Sequence, residues 1–147
     1  MKRFAAISFS GLKACHNEFE KEDACMFLPK EALSYEEATQ IYADLLSGLN
    51  ECTQEYKDEL VVDMKKRAIR YANRRAEWEC MTPEERQNAD EGRTSAHNAF
   101  IDQMNIIKRM LDKDGIDTSW REKLGDDRKR IGDFACFLAY IFAVGNR

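Results

Sequence analysis

The fold is decided by the stretch FACFLAYIFAV at residues 134–144, which carries no charged side chain. Asp126 or Asp127 is placed to cap a helix that contains it, and Gly145 is placed to end that helix. The stretch is far shorter than the roughly 20 residues that span a bilayer. A helix that is apolar on every side is surrounded by other helices or uses one face for a partner subunit. We therefore predict a central core helix, with a homodimer contact through it as the alternative.

The segment before this helix carries two sequence signatures of a helix start. Ser34 with Glu37, and Thr82 with Glu85, each have the spacing of a capping box, in which two side chains satisfy exposed backbone donors. After Ser34, a stripe of apolar residues predicts one helix: Ala38, Ile41, Tyr42, Leu45, Leu46 and Leu49. Residues 53–80 lack glycine and proline and predict a single long helix.

The remaining helices are predicted from their apolar spacing and from their glycines. We expect Gly92 to break or bend the helix that follows Pro83, and a second long helix to run from Arg93 to the Asp114–Gly115 step. Residues 116–127 should form a connector with one helical turn around Trp120, in which Ser119 and Glu122 form a further capping box.

Composition supports the same class of fold. The chain has 147 residues, 44% of them hydrophobic, with only 7 glycines and 2 prolines. We predict an all-α, single-domain protein, with a bundle of four or five main helices over residues 31–147 and an N-terminal segment at residues 1–30.

Charge is distributed unevenly along the chain. Residues 1–60 carry 6 basic and 12 acidic side chains, a balance of −6, whereas residues 61–147 carry 17 and 15, a balance of +2. The net charge of −4 argues against a protein that coats nucleic acid over its whole surface. The asymmetry predicts two functional faces on one domain.

The spacing of the 5 cysteines predicts neither a metal site nor a disulfide framework. None is arranged as CxxC, and only Cys15 lies beside a histidine, His16. We expect free thiols in a reducing cytoplasm, and neither a metal nor a cofactor.

Three clusters of polar residues are candidates for function. The first is a basic face on the long helix, formed by Lys65, Lys66, Arg67, Arg70, Arg74 and Arg75. Such a ridge suits phosphates or an acidic protein surface, and a solvated face paired with nearby acids is the alternative.

The second candidate is a polar cluster around an imidazole, formed by Arg93, His97, Asn98, Asp102 and Asp133. Arg93 and His97 are four residues apart and share a helix face. A second histidine or an acid–base pair is lacking, so a structural polar network is the leading interpretation, ahead of a binding site and of a catalytic site.

The third candidate is an acidic face, formed by Glu18, Glu20, Glu22, Asp23, Glu31, Glu36 and Glu37. A solvated surface is the plain interpretation. The sharper one is that these carboxylates imitate a nucleic-acid backbone toward a target protein.

Part of the chain, about residues 82–144, resembles a family of short uncharacterised helical proteins from bacteria and phages. The resemblance is carried by TPEER at 82–86, RTSAHNAFI at 93–101 and DRKRIGDFA at 127–135. It implies a helical domain encoded by a bacterium or mobile element, and it brings no known activity.

These observations favour a non-enzymatic cytoplasmic protein that binds another macromolecule. We expect that macromolecule to be a protein. An accessory factor of a phage, such as an anti-CRISPR-like inhibitor of a host defence complex, fits the resemblance. The alternatives are a nucleic-acid-binding module that uses residues 65–75 and a small enzyme centred on His97.

Overall fold

The computed structural model describes residues 32–145. They form five helices: α1 Tyr35–Glu51, α2 Lys57–Glu79, α3 Pro83–Lys113, α4 Ser119–Leu124 and α5 Arg128–Gly145. Strands are absent from these residues, so the predicted all-α bundle is confirmed. Helix α2 packs along both α3 and α5, and α1 packs against α4 and α5.

Helix α5 is the central element of the core, as its apolar sequence predicts. All residues from 131 to 140 are buried. Phe137 lies edge-on to Tyr35 and Tyr42 of α1, with ring centroids 5.3 and 6.3 Å away. A homodimer contact through α5 stays a prediction, and the half-buried residues available for it are Ile141, Ala143 and Val144.

None of the helices in residues 32–145 is both long and apolar enough to cross a membrane.

Both predicted capping boxes are present at the N-termini of α1 and α3. Glu37 N–H donates to Ser34 Oγ at 3.0 Å, and Glu37 Oε1 accepts from Ser34 N–H at 3.1 Å. Thr82 and Glu85 make the equivalent pair of hydrogen bonds. Each box satisfies backbone donors that the first helical turn leaves unpaired.

Helix α2 begins at Lys57, four residues later than predicted. The carboxylate of Asp114, at the end of α3, accepts hydrogen bonds from Thr53 N–H and from Gln54 Nε2, both at 3.0 Å. These bonds hold the segment in a turn. The apolar pattern could not reveal this, because the competing acceptor lies about 60 residues away in sequence.

The expectations for α3 and α4 need two corrections. Helix α3 continues through Gly92 without interruption, because one glycine costs a packed helix only about 1 kcal/mol.

The N-cap of α4 is Thr118 and makes no side-chain capping bond. Ser119 donates to Asp117 instead of forming the predicted box with Glu122. The predicted end of α3 is correct: Gly115 has φ +72° and Ile116 N–H returns to Leu111 O.

The prediction of free thiols needs one correction. Cys52 is a free, buried thiol, whereas Cys80 is disulfide-bonded. A disulfide depends on how closely the fold brings two cysteines together, which their spacing in sequence does not reveal.

Gly132 allows α5 to approach α2 closely. A Cβ built at this position would lie 2.9 Å from Tyr71 Oη and 3.3 Å from two atoms of the same ring. Tyr71 is itself buried in the core, so its ring has little room to move.

We expect Gly132→Ala to destabilise the protein, although alanine favours helices over glycine by about 1 kcal/mol. Overpacking against Tyr71 should lower the free energy of unfolding by about 1–3 kcal/mol, measured by urea unfolding. Adding Tyr71→Phe should recover part of the loss. Gly92→Ala is the matched control: its Cβ would lie 3.6 Å from the flexible end of Arg74, so it should stabilise. A stabilising Gly132→Ala would contradict this account.

Candidate functional site

A cavity of about 370 Å³ lies where α2, α3 and α5 meet. It is lined by Tyr71, Arg75, Trp78 and Glu79 of α2, by Arg93, Thr94 and His97 of α3, and by Arg128, Lys129 and Asp133 of α5. Four of these side chains are cationic and two are carboxylates.

Asp133 is the polar anchor of this cavity. Its carboxylate is 2% exposed and accepts a hydrogen bond from Arg75 Nη1 at 2.9 Å. It also accepts from the backbone N–H groups of Ala32 and Leu33, both at 3.2 Å. Arg75 Nη1 further contacts Cys136 Sγ at 3.5 Å. One carboxylate therefore joins α2, α5 and the segment before α1, and its own charge is neutralised by these contacts.

His97 is held in one orientation and one tautomer. The residue is 6% exposed, and its ring lies edge-on to Tyr71, with centroids 5.0 Å apart. Nε2 lies 2.8 Å from Arg128 O. Because a carbonyl oxygen only accepts, Nε2 carries the proton and Nδ1 carries a lone pair. Nδ1 is buried and has no hydrogen-bond partner within residues 32–145.

The surroundings of His97 keep its imidazole neutral. Burial lowers the pKa of His97 below its usual 6.5, and the positive charges of Arg128, Arg93 and Arg75 lower it further. The hydrogen bond to Arg128 O acts in the opposite direction and does not overcome them. His97 is therefore an uncharged residue among the cations that line the cavity.

The cations differ in how far their charge is used inside the protein. Arg93 lies over the Trp78 ring at 4.6 Å, and its buried Nε lacks a partner in the described part of the chain. Arg128 donates to the exposed Asn98 at 3.1 Å, and Lys129 is exposed at the rim. Arg75 neutralises Asp133 and the exposed Glu79 offsets one further charge, so the lining keeps a net positive charge that suits an anion.

The structure brings together three of the five residues of the predicted polar cluster. Arg93, His97 and Asp133 line the cavity, and Asn98 reaches its rim through Arg128. Asp102 lies instead along a separate groove on α3. Five residues along a helix turn the side chain by about 140°, so His97 and Asp102 face different directions.

The predicted basic face divides into two groups. Three members contact other parts of the fold: Lys65 lies over Phe142 at 5.3 Å, Arg67 donates to Ala99 O at 2.9 Å, and Arg75 pairs with Asp133. The other three form an exposed stripe of Lys66, Arg70 and Arg74 beside a shallow groove. Only this basic stripe matches the expected ridge.

Most of the predicted acidic face, Glu18, Glu20, Glu22, Asp23 and Glu31, lies outside the described residues. Glu36 and Glu37 are exposed in the first turn of α1. The capping bonds from Ser34 lower the pKa of Glu37, and the charge of Arg130, 3.6 Å away, adds to the effect. Glu37 thus has a structural role as a helix cap.

Sequence reasoning missed Tyr71, Trp78, Arg128 and Lys129 as site residues. A signal was present. Arg75 falls four residues after Tyr71 and three before Trp78, inside the apolar stripe of α2. A charged residue at a core-facing position needs a buried partner, which Asp133 provides.

No protein-family model, curated protein or solved structure matches this chain. The resemblance to the bacterial and phage family therefore stays a prediction. The structure does place two of the stretches that carry it at the same cavity, through Arg93 and His97 from the first and Arg128 and Asp133 from the second. Groups of three or more side chains able to hold a metal ion are absent from residues 32–145.

We expect Asp133→Asn to lower the free energy of unfolding by about 3 kcal/mol, because it leaves Arg75 without its buried counter-ion. Urea unfolding measures the loss. The matched control is Lys108→Met, which breaks the exposed Lys108–Asp112 pair and should cost less than about 1 kcal/mol. Equal effects of the two substitutions would show that Asp133 does not anchor the fold.

We expect His97 to make stability depend on pH. Folding lowers the pKa of His97 below its value in the unfolded chain, which is about 6.5. The contribution of His97 to the free energy of unfolding is therefore complete above pH 6.5 and is lost as the pH falls through the pKa of the native state. The slope is at most about 1.4 kcal/mol per pH unit. Unfolding between pH 8 and 5 should show a component that His97→Gln lacks. Identical pH profiles for the two proteins would contradict the assignment.

Proposed function

We propose that this protein is a non-enzymatic binding protein that holds an anionic group of another molecule in the cavity between α2, α3 and α5. The observation that carries the proposal is the convergence of Arg93, Arg128 and Lys129 on a cavity whose one buried carboxylate is already paired with Arg75. Unpaired positive charge beside a partly enclosed space is a general recognition device for anions.

Binding accounts for the site better than catalysis does. His97 donates its proton to a backbone carbonyl, and within residues 32–145 its ring makes no hydrogen bond to a hydroxyl, thiol or carboxylate. Among the described residues, His97 is therefore not paired with a side-chain hydroxyl or thiol as an activated nucleophile would be. Asp133 is occupied by three donors. The alternative of an enzyme centred on His97 therefore has less support.

The kind of partner follows from the size and charge of the cationic surface. A protein or smaller molecule that presents one anionic group fits a cavity of about 370 Å³. Nucleic-acid binding along the basic stripe is supported by only three exposed cationic side chains. The net charge of −4 of the chain opposes it. A phage accessory role, such as anti-CRISPR-like inhibition in a host cytoplasm, stays a prediction from the resemblance.

The test is to titrate the full chain with two small anions, inorganic phosphate and citrate. Calorimetry measures the affinity, and the NMR shifts of the His97 ring report where the anion binds. We expect Arg93→Gln with Lys129→Gln to weaken binding at least tenfold, because each removes a charge-assisted hydrogen bond.

The matched control is Lys66→Gln with Arg70→Gln, which removes the same charge from the basic stripe and should leave anion affinity within about twofold. Equal losses in both double variants would mean that anions respond to overall charge rather than to the cavity, and the proposal would fail.

A further inference from the structure

The tautomer of His97 places a specific demand on any anion in the cavity. Nε2–H is committed to Arg128 O at 2.8 Å, so the unpartnered Nδ1 can only accept. His97 lines the cavity but is 6% exposed, and Nδ1 itself has almost no accessible surface, so a ligand reaches this lone pair only as the side chains around it move. A ligand that brings a hydrogen-bond donor to Nδ1 satisfies it, and a ligand with only acceptors leaves it unpaired.

Anions divide into two chemical classes by this criterion. A phosphomonoester has a second pKa of about 6, so it carries an O–H below that pH and can regain one by taking up a proton on binding at neutral pH. A sulfate ester, and the internal phosphodiester of a nucleic acid, have no proton to donate in this range. Phosphomonoesters thus combine the negative charge that the arginines favour with the donor that His97 needs.

We propose that the cavity selects a phosphomonoester over sulfates and phosphodiesters, with His97 Nδ1 accepting the hydrogen bond of the phosphate O–H; this inference rests on the proposed anion-binding function. Arg93, Arg128 and Lys129 surround the phosphate oxygens. The organic group of the ester lies against the aromatic walls of Tyr71 and Trp78. The cavity has room for this group beside the phosphate.

Selectivity follows from the cost of leaving a buried acceptor unpaired. Sites built around a hydrogen bond discriminate strongly against analogues that lack the matching group. We expect the phosphate ester to bind about tenfold to hundredfold more tightly than the sulfate ester of the same alcohol.

The proposal also predicts how affinity depends on pH. The charged and titratable groups that face His97 are Tyr71 and Arg75 from α2, Arg93 from α3, and Arg128 and Asp133 from α5. The complex holds one proton between Nδ1 and the phosphate. Above pH 7 that proton must be taken up on binding, so affinity for the phosphate ester should fall by up to tenfold per pH unit.

The experiment is calorimetry of the full chain with phenyl phosphate, phenyl sulfate and dimethyl phosphate at pH 6.5 and 8.0. The first two probes share the same aromatic group and differ in the donor. We expect phenyl phosphate to bind at least tenfold more tightly than phenyl sulfate at pH 6.5, with proton uptake at pH 8.0. Equal affinities for phenyl phosphate and phenyl sulfate at pH 6.5 would overturn this inference, while the proposed anion binding would stand. No binding of any of the three anions would overturn the proposed function itself.

Two further measurements connect the selectivity with His97. His97→Phe keeps a ring against Tyr71 and removes the acceptor, so the ratio of phosphate to sulfate affinity should approach one. If that variant fails to fold, ¹⁵N NMR of the unmodified protein gives the answer: Nδ1 should change its chemical shift with phenyl phosphate and not with phenyl sulfate. An unchanged ratio in the variant, or identical shifts with both probes, would overturn the assignment.

The same phosphomonoester chemistry occurs on free metabolites and on phosphorylated side chains. A nucleoside 5′-monophosphate and a phosphoserine peptide, titrated in parallel, separate these sources. Tighter binding of either one over its unphosphorylated form supports the proposal, and indifference to the phosphate in both opposes it.

Discussion

The buried ion pair between Arg75 and Asp133 is the interaction on which the rest of the structure depends. Asp133 lies in the central helix α5, Arg75 in α2, and the same carboxylate accepts from the backbone of Ala32 and Leu33. Arg130, three residues earlier in α5, donates to Ala32 O at 2.7 Å. The start of α5 thereby fixes both the long helix α2 and the entry to α1, using polar contacts that hydrophobic packing alone would not orient.

The same arrangement creates the cavity. Because Asp133 is occupied by Arg75 and by backbone donors, the cations around it keep a surplus of positive charge. Because the first turn of α5 presents Arg128 O to His97, the imidazole is held with its acceptor nitrogen unpaired. A single packing of α5 against α2 and α3 thus produces both a stable core and a place for an anion. The close approach of Gly132 to Tyr71 is part of the same packing.

Local patterns in the sequence were reliable where the structure depends on local interactions. Two of the three predicted capping boxes, at Ser34 and Thr82, formed between partners three residues apart, whereas Ser119 donates to the neighbouring Asp117 instead of pairing with Glu122. The start of α2 and the continuity of α3 were mispredicted. In the first case the decisive partner, Asp114, is distant in sequence. In the second, packing outweighs the small cost of Gly92.

The sequence by itself determined the all-α class, the central position of the apolar helix and most helix ends, since these follow from periodicity and from neighbours within one turn. Only the tertiary structure decided which polar residues act together. It separated Arg75 from Lys66, which lie on opposite sides of one helix, and joined Arg75 to Asp133 across a gap of 58 residues. A charge reveals its role through the partner that packing brings to it, and that partner is set by the whole fold rather than by spacing along the chain.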